Sequence, residues 1–163
     1  MNAAISFVTE RDLPIGRVFC ELGSGLGLGV CLAALQGYEA YGVEIDEKLV
    51  DASRELAQRQ NIEATFLCGS YFPEGYSAYD GVAGSELLKP ESSWSRSDAF
   101  HYSPRYEGMD RDTEEIDVFF VYPWPHEHEM MQELFEELAA DGAILIAYYG
   151  DGEICVYRKT FED

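Results

Sequence analysis

A glycine-rich turn between a predicted strand and a predicted helix has the clearest chemical potential in this sequence. Glu21 precedes a run in which glycine occupies every second position, at Gly23, Gly25 and Gly27. Glycine lets the backbone adopt positive φ angles and pass close beneath a ligand, while amide groups at the start of a helix point outward. Ligands of open α/β sheets bind at the carboxyl edge of the strands, where this turn is expected. The turn therefore predicts a ligand-binding site.

The register of these glycines indicates which ligand suits the turn. The dinucleotide fingerprint requires glycine at its first, third and sixth positions. Each of the three possible starting glycines places the sixth position on a leucine or a valine, so every register fails. The spacing therefore disfavours a nicotinamide-dependent oxidoreductase.

A second acidic position follows where the next predicted strand ends, within residues 42–46 (GVEID). Glu44 stands at that end, and a carboxylate there can accept hydrogen bonds from both hydroxyls of a ribose. Asp46 precedes Glu47 and an amphipathic run, which favours a helix N-cap for Asp46.

Together these two motifs resemble those of the class I S-adenosylmethionine-dependent methyltransferases, and the resemblance covers about residues 17–149. It implies S-adenosylmethionine as the cofactor, with its ribose at Glu44 and its methionine part at Glu21 and the glycine turn. After the third strand the family often carries an acid that contacts the adenine amino group, where this chain offers only the hydroxyl of Ser70. The cofactor-binding residues so implied are Glu21, Gly23, Ser24, Gly25, Gly27, Glu44 and Ser70.

Residues 122–125 (YPWP) end the most hydrophobic predicted strand. Amino-directed methyltransferases of this class often have Asn or Asp, two prolines and an aromatic residue there, to hold the acceptor nitrogen; here a tyrosine replaces the Asn or Asp. The resemblance implies that Tyr122 and Trp124 wall an acceptor pocket. His126 lies close to the end of the same strand, which makes it a candidate for proton removal. A rigid, proline-bounded turn with both rings packed on the core is the alternative.

Metal and disulfide chemistry find no support in the sequence. His126 and His128 are two positions apart, so on a helix they point away from each other, and no third ligand cluster is visible. The four cysteines, Cys20, Cys31, Cys68 and Cys155, are far apart and indicate reduced core residues of an intracellular protein. No apolar run approaches the ~20 residues that span a bilayer, and no signal peptide is evident. We therefore expect a cytoplasmic protein without a membrane partner.

The charge of the chain bears on its partners. The 163 residues include 31 acidic and 11 basic side chains, for a formal net charge of −20. Such a charge repels phosphate backbones, so a nucleic-acid partner is disfavoured, whereas cationic and neutral ligands suit the surface. Solvation of the surface alone is the explanation that we favour for the acid excess, because net charge bears on solubility and encounter rather than on chemistry.

Short apolar runs alternate with segments of helical period, which predicts an α/β fold. We expect a Rossmann-like, doubly wound, mostly parallel sheet of about six strands with the last strand antiparallel, as in a minimal class I methyltransferase. Predicted strands cover 17–22, 39–44, 62–68, 116–122, 143–149 and 153–158, and predicted helices cover 26–36, a segment that Asp46 caps, and 126–140. The family sheet usually has seven strands, and we expect this chain to lack the sixth and the helix before it.

One domain, 1–163, is expected from the length. Within it, residues 81–115 form a long, irregular connection, which is typical of a functional lid or a mobile surface loop. Its aromatic residues either close over the cofactor and the acceptor or pack as an ordinary loop; they are Trp94, Phe100, Tyr102 and Tyr106.

Two functions remain open from these residues. The leading hypothesis is an enzyme that transfers a methyl group from S-adenosylmethionine to a nitrogen or oxygen of a small-molecule or protein acceptor. The alternative is a non-catalytic regulatory module that binds S-adenosylmethionine, which the short chain, the missing strand and the altered 122–125 motif favour.

Overall fold

A β-sheet flanked by helices organises the chain in the computed structural model, which describes residues 1–74, 76, 104–150 and 152–160. The strands among these residues are β1 (Val18–Leu22), β2 (Glu39–Glu44), β3 (Thr65–Cys68), β4 (Val118–Val121), β5 (Ile144–Gly150) and β6 (Glu153–Arg158). They form a six-stranded sheet in the order β3-β2-β1-β4-β5-β6. Neighbouring strands are parallel except for β5 and β6, which are antiparallel. The predicted sheet is confirmed.

Helices cover both faces of this sheet, as a doubly wound fold requires. They are α1 (Asn2–Glu10), α2 (Leu28–Leu35), α3 (Glu47–Gln60) and α4 (His128–Leu138). The first three pack in one core cluster and α4 packs in the other. The central strands β1 and β4 are therefore buried on both sides, which suits parallel strands.

The central strand β4 shows how the sequence builds these two cores. All four of its residues are buried, and its two phenylalanines point to opposite faces because side chains alternate along a strand. Phe119 packs edge-on against Phe135 of α4, with ring centroids 5.6 Å apart. Phe120 lies in the other core with α1, α2 and α3. The apolar stripe predicted for α4 faces the sheet, with Met130, Met131, Leu134, Phe135 and Leu138 all buried.

The boundaries of several elements differ from the predictions. Helix α1 was not anticipated; it buries Ile5 and Val8 beside α2. Helix α2 begins at Leu28 rather than at residue 26, because Gly25 and Gly27 have positive φ angles and extend the preceding turn. The prediction that all four cysteines lie in the core is wrong for Cys68, which is exposed at the end of the edge strand β3, and for Cys155, which is only half-buried in β6. All four cysteines are free thiols.

The predicted lid is only partly within the described residues. Residues 81–103 of the predicted segment, with Trp94, Phe100 and Tyr102, lie outside them. Tyr106 is buried, and its hydroxyl donates a hydrogen bond to the Tyr71 carbonyl at 2.8 Å. The two flanks of the connection meet, since Glu74 and Arg105 form an antiparallel bridge. Tyr106 therefore packs in the core rather than in a lid over the cofactor and the acceptor.

Within the described ranges, no helix has both the length and the apolar character that a membrane crossing needs.

Candidate functional site

A cleft of about 570 Å³ opens at the carboxyl edge of the sheet. Its walls come from the ends of β1, β2, β3 and β4 and from the start of α4. Six of the residues predicted for the site line it, namely Gly23, Glu44, Ser70, Tyr122, Trp124 and His126. Four others, Glu21, Ser24, Gly25 and Gly27, lie beside or beneath that lining. The carboxyl-edge position follows from parallel topology, which brings the ends of these strands together.

The glycine turn uses its glycines in two different ways. Gly23, Gly25 and Gly27 have φ angles of +73°, +53° and +70°, a region that residues with a side chain rarely adopt. A Cβ on Gly23 or Gly25 would meet nothing within 4 Å, so the turn leaves open space there. A Cβ on Gly27 would lie 2.3 Å from the Phe66 ring. The first two glycines therefore leave room above the backbone, whereas Gly27 is needed for close packing against β3.

Hydrogen bonds from β2 and α3 hold the turn in place. The amides of Gly23 and Ser24 both donate to the Val43 carbonyl, at 2.9 and 3.0 Å. The Ser53 hydroxyl of α3 donates to the Gly25 carbonyl at 3.0 Å. The backbone around the open space is therefore fixed from two sides before any ligand binds.

The Glu44 carboxylate spans the gap between the turn and the start of α3. One oxygen accepts a hydrogen bond from the Gly25 amide at 2.9 Å, and the other accepts one from the Asp46 amide at 3.0 Å. Glu44 is half-buried and lines the cleft. Each carboxylate oxygen has two lone pairs, so capacity remains to accept from the hydroxyls of a sugar. Asp46 caps α3 as predicted, by accepting from the Lys48 amide.

Glu21 lies beneath α2 and does not line the cleft. It is 5% exposed, and its carboxyl accepts a hydrogen bond from the Val30 amide at 3.1 Å. Burial raises the pKa of Glu21 to about 8, and the hydrogen bond from Val30 opposes that rise only in part. Glu21 is therefore largely a neutral acid at pH 7 that supports the helix carrying the glycine turn.

The two serines of the predicted set differ in their surroundings. Ser24 is 6% exposed, and its hydroxyl has no hydrogen-bond partner among the described residues. A Cβ on Gly42 would lie 2.7 Å from that hydroxyl oxygen, so β2 needs glycine where it passes Ser24. Ser70 is exposed at the cleft, and its hydroxyl accepts from the Phe72 amide at 3.1 Å.

The opposite wall of the cleft consists mainly of aromatic side chains. Tyr122 is 64% exposed and Trp124 is 70% exposed, although Pro123 between them is buried. The Tyr122 ring lies against that of Tyr148, with centroids 4.8 Å apart. This exposure argues against the alternative in which both rings pack on the core, and it leaves their faces accessible to a ligand.

Glu127 also lines the cleft, although it is not among the site residues predicted from the sequence. Its carboxylate accepts from the Trp124 amide at 3.1 Å and from the Tyr71 hydroxyl at 3.3 Å. Burial and the nearby Glu127 charge raise the pKa of Tyr71 to about 12, so this hydroxyl stays protonated. The Glu127 amide also donates to the Trp124 carbonyl at 2.8 Å. The available signal was an acid three residues after a residue of the proline-bounded turn, which is the spacing at which a glutamate side chain reaches back to a backbone amide.

His126 and His128 do not come together. His126 is exposed and lines the cleft, whereas the ring of His128 lies 4.3 Å from that of Tyr149 and outside the lining. Across the part of the chain that is described, no group of three His, Cys, Asp or Glu residues could hold a metal ion.

The curated proteins that match this chain in sequence are ribosomal protein L11 methyltransferases. No family model matches the chain. It is 35% identical over 82 residues to a ribosomal protein L11 methyltransferase of Ralstonia pickettii, a match that covers 50% of this chain and 27% of that protein. The match to the corresponding protein of Cupriavidus taiwanensis is 33% over 84 residues, with the same coverage. The matched part is therefore about a quarter of the length of these curated relatives.

Solved structures resemble the chain over nearly its full length. An RNA methyltransferase from Salinibacter ruber, in complex with S-adenosylhomocysteine, superposes with a TM-score of 0.61 at 19% identity and covers 98% of this chain and 88% of its own. The magnesium protoporphyrin IX methyltransferase of Synechocystis, with the same product bound, gives 0.54 at 16% identity over 93% of this chain and 55% of its own. The chain therefore has the Rossmann-like fold of these S-adenosylmethionine-dependent methyltransferase structures, and the curated proteins that it matches in sequence are methyltransferases.

Proposed function

We propose that this chain is a methyltransferase that uses S-adenosylmethionine to methylate a nitrogen or oxygen of a small-molecule or protein acceptor. The observation that carries the proposal is the composition of the cleft. Gly23 and Glu44 line one side of it, and Tyr122 and Trp124 line the other. A cofactor wall and an acceptor wall thus face one space of about 570 Å³, within the usual size of small-molecule sites.

The cofactor side offers groups that suit an adenosyl sulfonium. The turn at Gly23 and Gly25 leaves open space over a fixed backbone, and the Glu44 carboxylate has lone pairs for ribose hydroxyls. Ile45, next along, is 75% exposed at the cleft and gives an apolar surface for a flat base. Bound there, the cofactor supplies an electrophilic methyl group.

The acceptor side needs to orient a nucleophile rather than to activate an electrophile. In this proposal Tyr122 and Trp124 position the acceptor and exclude water from it, since an in-line approach supplies most of the rate enhancement. His126, exposed at the rim, takes a proton from an acceptor that starts protonated.

The class of acceptor is argued from charge and from the relatives. The curated relatives are named for a ribosomal protein, and one solved relative is named for RNA. A formal net charge of −20 disfavours an RNA acceptor, because phosphate backbones are repelled. A protein side chain or a small molecule is therefore the acceptor we propose.

Calorimetry with S-adenosylmethionine tests the cofactor side. We expect binding by the wild-type protein and a loss of about tenfold or more in affinity for Glu44→Gln, because two ribose hydrogen bonds to a charged acceptor are weakened. Glu47→Gln is the matched control, since Glu47 lies in the first turn of α3 and does not line the cleft. Wild-type affinity in Glu44→Gln would remove the ribose assignment, and no binding at millimolar cofactor would overturn the proposal.

Mass spectrometry of the reaction mixture tests catalysis. We expect S-adenosylhomocysteine to accumulate when an acceptor panel is added to the protein and cofactor. Tight binding without product on any acceptor would instead support a non-catalytic binding module.

A further inference from the structure

We infer that the acceptor is a primary aliphatic amine, held as its ammonium ion between the Glu127 carboxylate and the exposed rings of Tyr122 and Trp124. This inference rests on the proposed function and narrows its acceptor from any nitrogen or oxygen to one chemical class.

The charges that line the cleft are the first argument. Among the described residues, the cleft has two carboxylates, Glu44 and Glu127, and one histidine, His126, but no lysine or arginine. Within the described lining, an acceptor with a phosphate or carboxylate group would find no lysine or arginine to pair with it. An ammonium ion would meet attraction from both carboxylates.

The carboxylates of Glu44 and Glu127 accept hydrogen bonds from different parts of the protein. Glu44 bridges the glycine turn and the start of α3, which places it with the cofactor. Glu127 accepts one hydrogen bond on each oxygen, from the Trp124 amide and the Tyr71 hydroxyl. A second lone pair therefore remains on each oxygen of Glu127, and its position is fixed by the two donors. This carboxylate is the one available to bind the acceptor.

The aromatic rings beside Glu127 add a second means of recognition. Tyr122 and Trp124 both line the cleft, and about two thirds of the surface of each residue is exposed. The face of an aromatic ring attracts a cation, and tryptophan does so most strongly. Met130 and Met131 also line the cleft and are buried, so the aliphatic stem of an amine would meet flexible apolar side chains.

The chemical step balances with groups already named. The ammonium first loses one proton, which passes through His126 at the rim to solvent water. The amine lone pair then forms a bond to the methyl carbon as the carbon–sulfur bond breaks. The electron pair of that bond stays on sulfur, which changes from a cationic sulfonium to a neutral thioether, and the amine nitrogen gains the positive charge.

A matched panel of acceptors tests the inference on the intact chain. The charged acceptors are a lysine-containing peptide and 1,4-diaminobutane, and their neutral counterparts are the same peptide with N-acetylated lysine and 1,4-butanediol. We expect methyl transfer to the amines and none to the neutral counterparts. The ratio of kcat/KM for the peptide and the diamine distinguishes a protein side chain from a free amine as the source.

Substitution of Glu127 tests the residue. Glu127→Gln keeps an oxygen for the Trp124 amide but removes the charge, so we expect KM for the amine to rise about tenfold or more while the cofactor dissociation constant changes less than about twofold. Glu129→Gln is the control, because Glu129 is exposed on the same helix and does not line the cleft. Trp124→Leu is the second variant should Glu127→Gln not fold, with a similar rise in KM expected from the lost ring face.

The outcomes separate this inference from the proposed function. Cofactor binding followed by methylation of the neutral acceptors alone, or of none of the panel, would overturn the amine assignment and leave cofactor use intact. An unchanged KM in both Glu127→Gln and Trp124→Leu would also overturn it. Absence of cofactor binding would overturn the proposed function, and this inference with it.

Discussion

Glu21 stands two residues before the first glycine of the turn, but its side chain does not line the cleft. At the end of β1 its side chain turns towards α2, and burial raises its pKa to about 8. The unfolded chain releases this proton near pH 4.5, whereas the folded chain holds it to about pH 8. The folded state thus binds more protons between these values, so Glu21 lowers stability progressively as pH rises from about 4.5 to 8.

Replacement of Glu21 by glutamine removes this titration and keeps an oxygen for the Val30 amide. We expect the free energy of unfolding of Glu21→Gln to increase relative to that of wild type as the pH rises from 5 to 8. The size of the pKa rise implies a difference on the order of a few kcal/mol. Urea denaturation of both proteins at the two pH values measures the difference. Identical pH dependence in wild type and Glu21→Gln would contradict a buried, protonated carboxyl.

Two glycines of the turn have different structural roles, although their backbone conformations are similar. Gly25 and Gly27 both have positive φ, but only a Cβ on Gly27 meets neighbouring atoms, at 2.3 Å from the Phe66 ring. We expect Gly27→Ala to lose about 2–5 kcal/mol of stability, from backbone strain and overpacking together, and Gly25→Ala to lose about 1–2 kcal/mol from strain alone. Thermal or urea denaturation of the two variants compares these costs.

Cofactor affinity gives a second measurement on the same two variants. A methyl group on Gly25 points into open space that the proposed function assigns to the cofactor, so Gly25→Ala should weaken binding at a temperature where it remains folded. Equal stability of the two alanine variants would contradict the packing difference, and full affinity in Gly25→Ala would assign the turn a purely structural role.

The acid excess acts on the whole molecule. With 31 acidic and 11 basic side chains, the folded chain concentrates a formal net charge of −20 in a small volume, and the resulting self-repulsion opposes folding. Salt screens this repulsion, because the Debye length falls from about 30 Å at 0.01 M to about 3 Å at 1 M.

We therefore expect the melting temperature to rise by several degrees between 0.02 and 0.5 M NaCl, since about 1 kcal/mol corresponds to 2–4 °C for a chain of this size. Calorimetric or circular-dichroism melts at fixed pH measure this shift, and KCl serves as a control for a sodium-specific effect. A melting temperature that falls with salt would show that the surface ion pairs outweigh the repulsion.

Much of the fold was predictable because periodicity is a local property. The alternation of apolar runs and helical segments was sufficient to predict the sheet, and β2 and β6 have the predicted bounds, Glu39–Glu44 and Glu153–Arg158. Helix α1 was missed because its stripe of three buried residues is short and carries no capping signal. The start of α2 was misplaced because a positive φ at Gly27 ends the turn later than apolar spacing suggests.

The sequence by itself determined which residue types follow each strand, and hence that glycines, a carboxylate and aromatic rings share one edge of the sheet. Only the tertiary structure decided which of them line the cleft. It turned Glu21 beneath α2, joined Glu44 to Gly25, and made Glu127 the link between Tyr71 and Trp124. Such contacts join residues up to 56 positions apart, and their geometry depends on side-chain packing that no local pattern encodes.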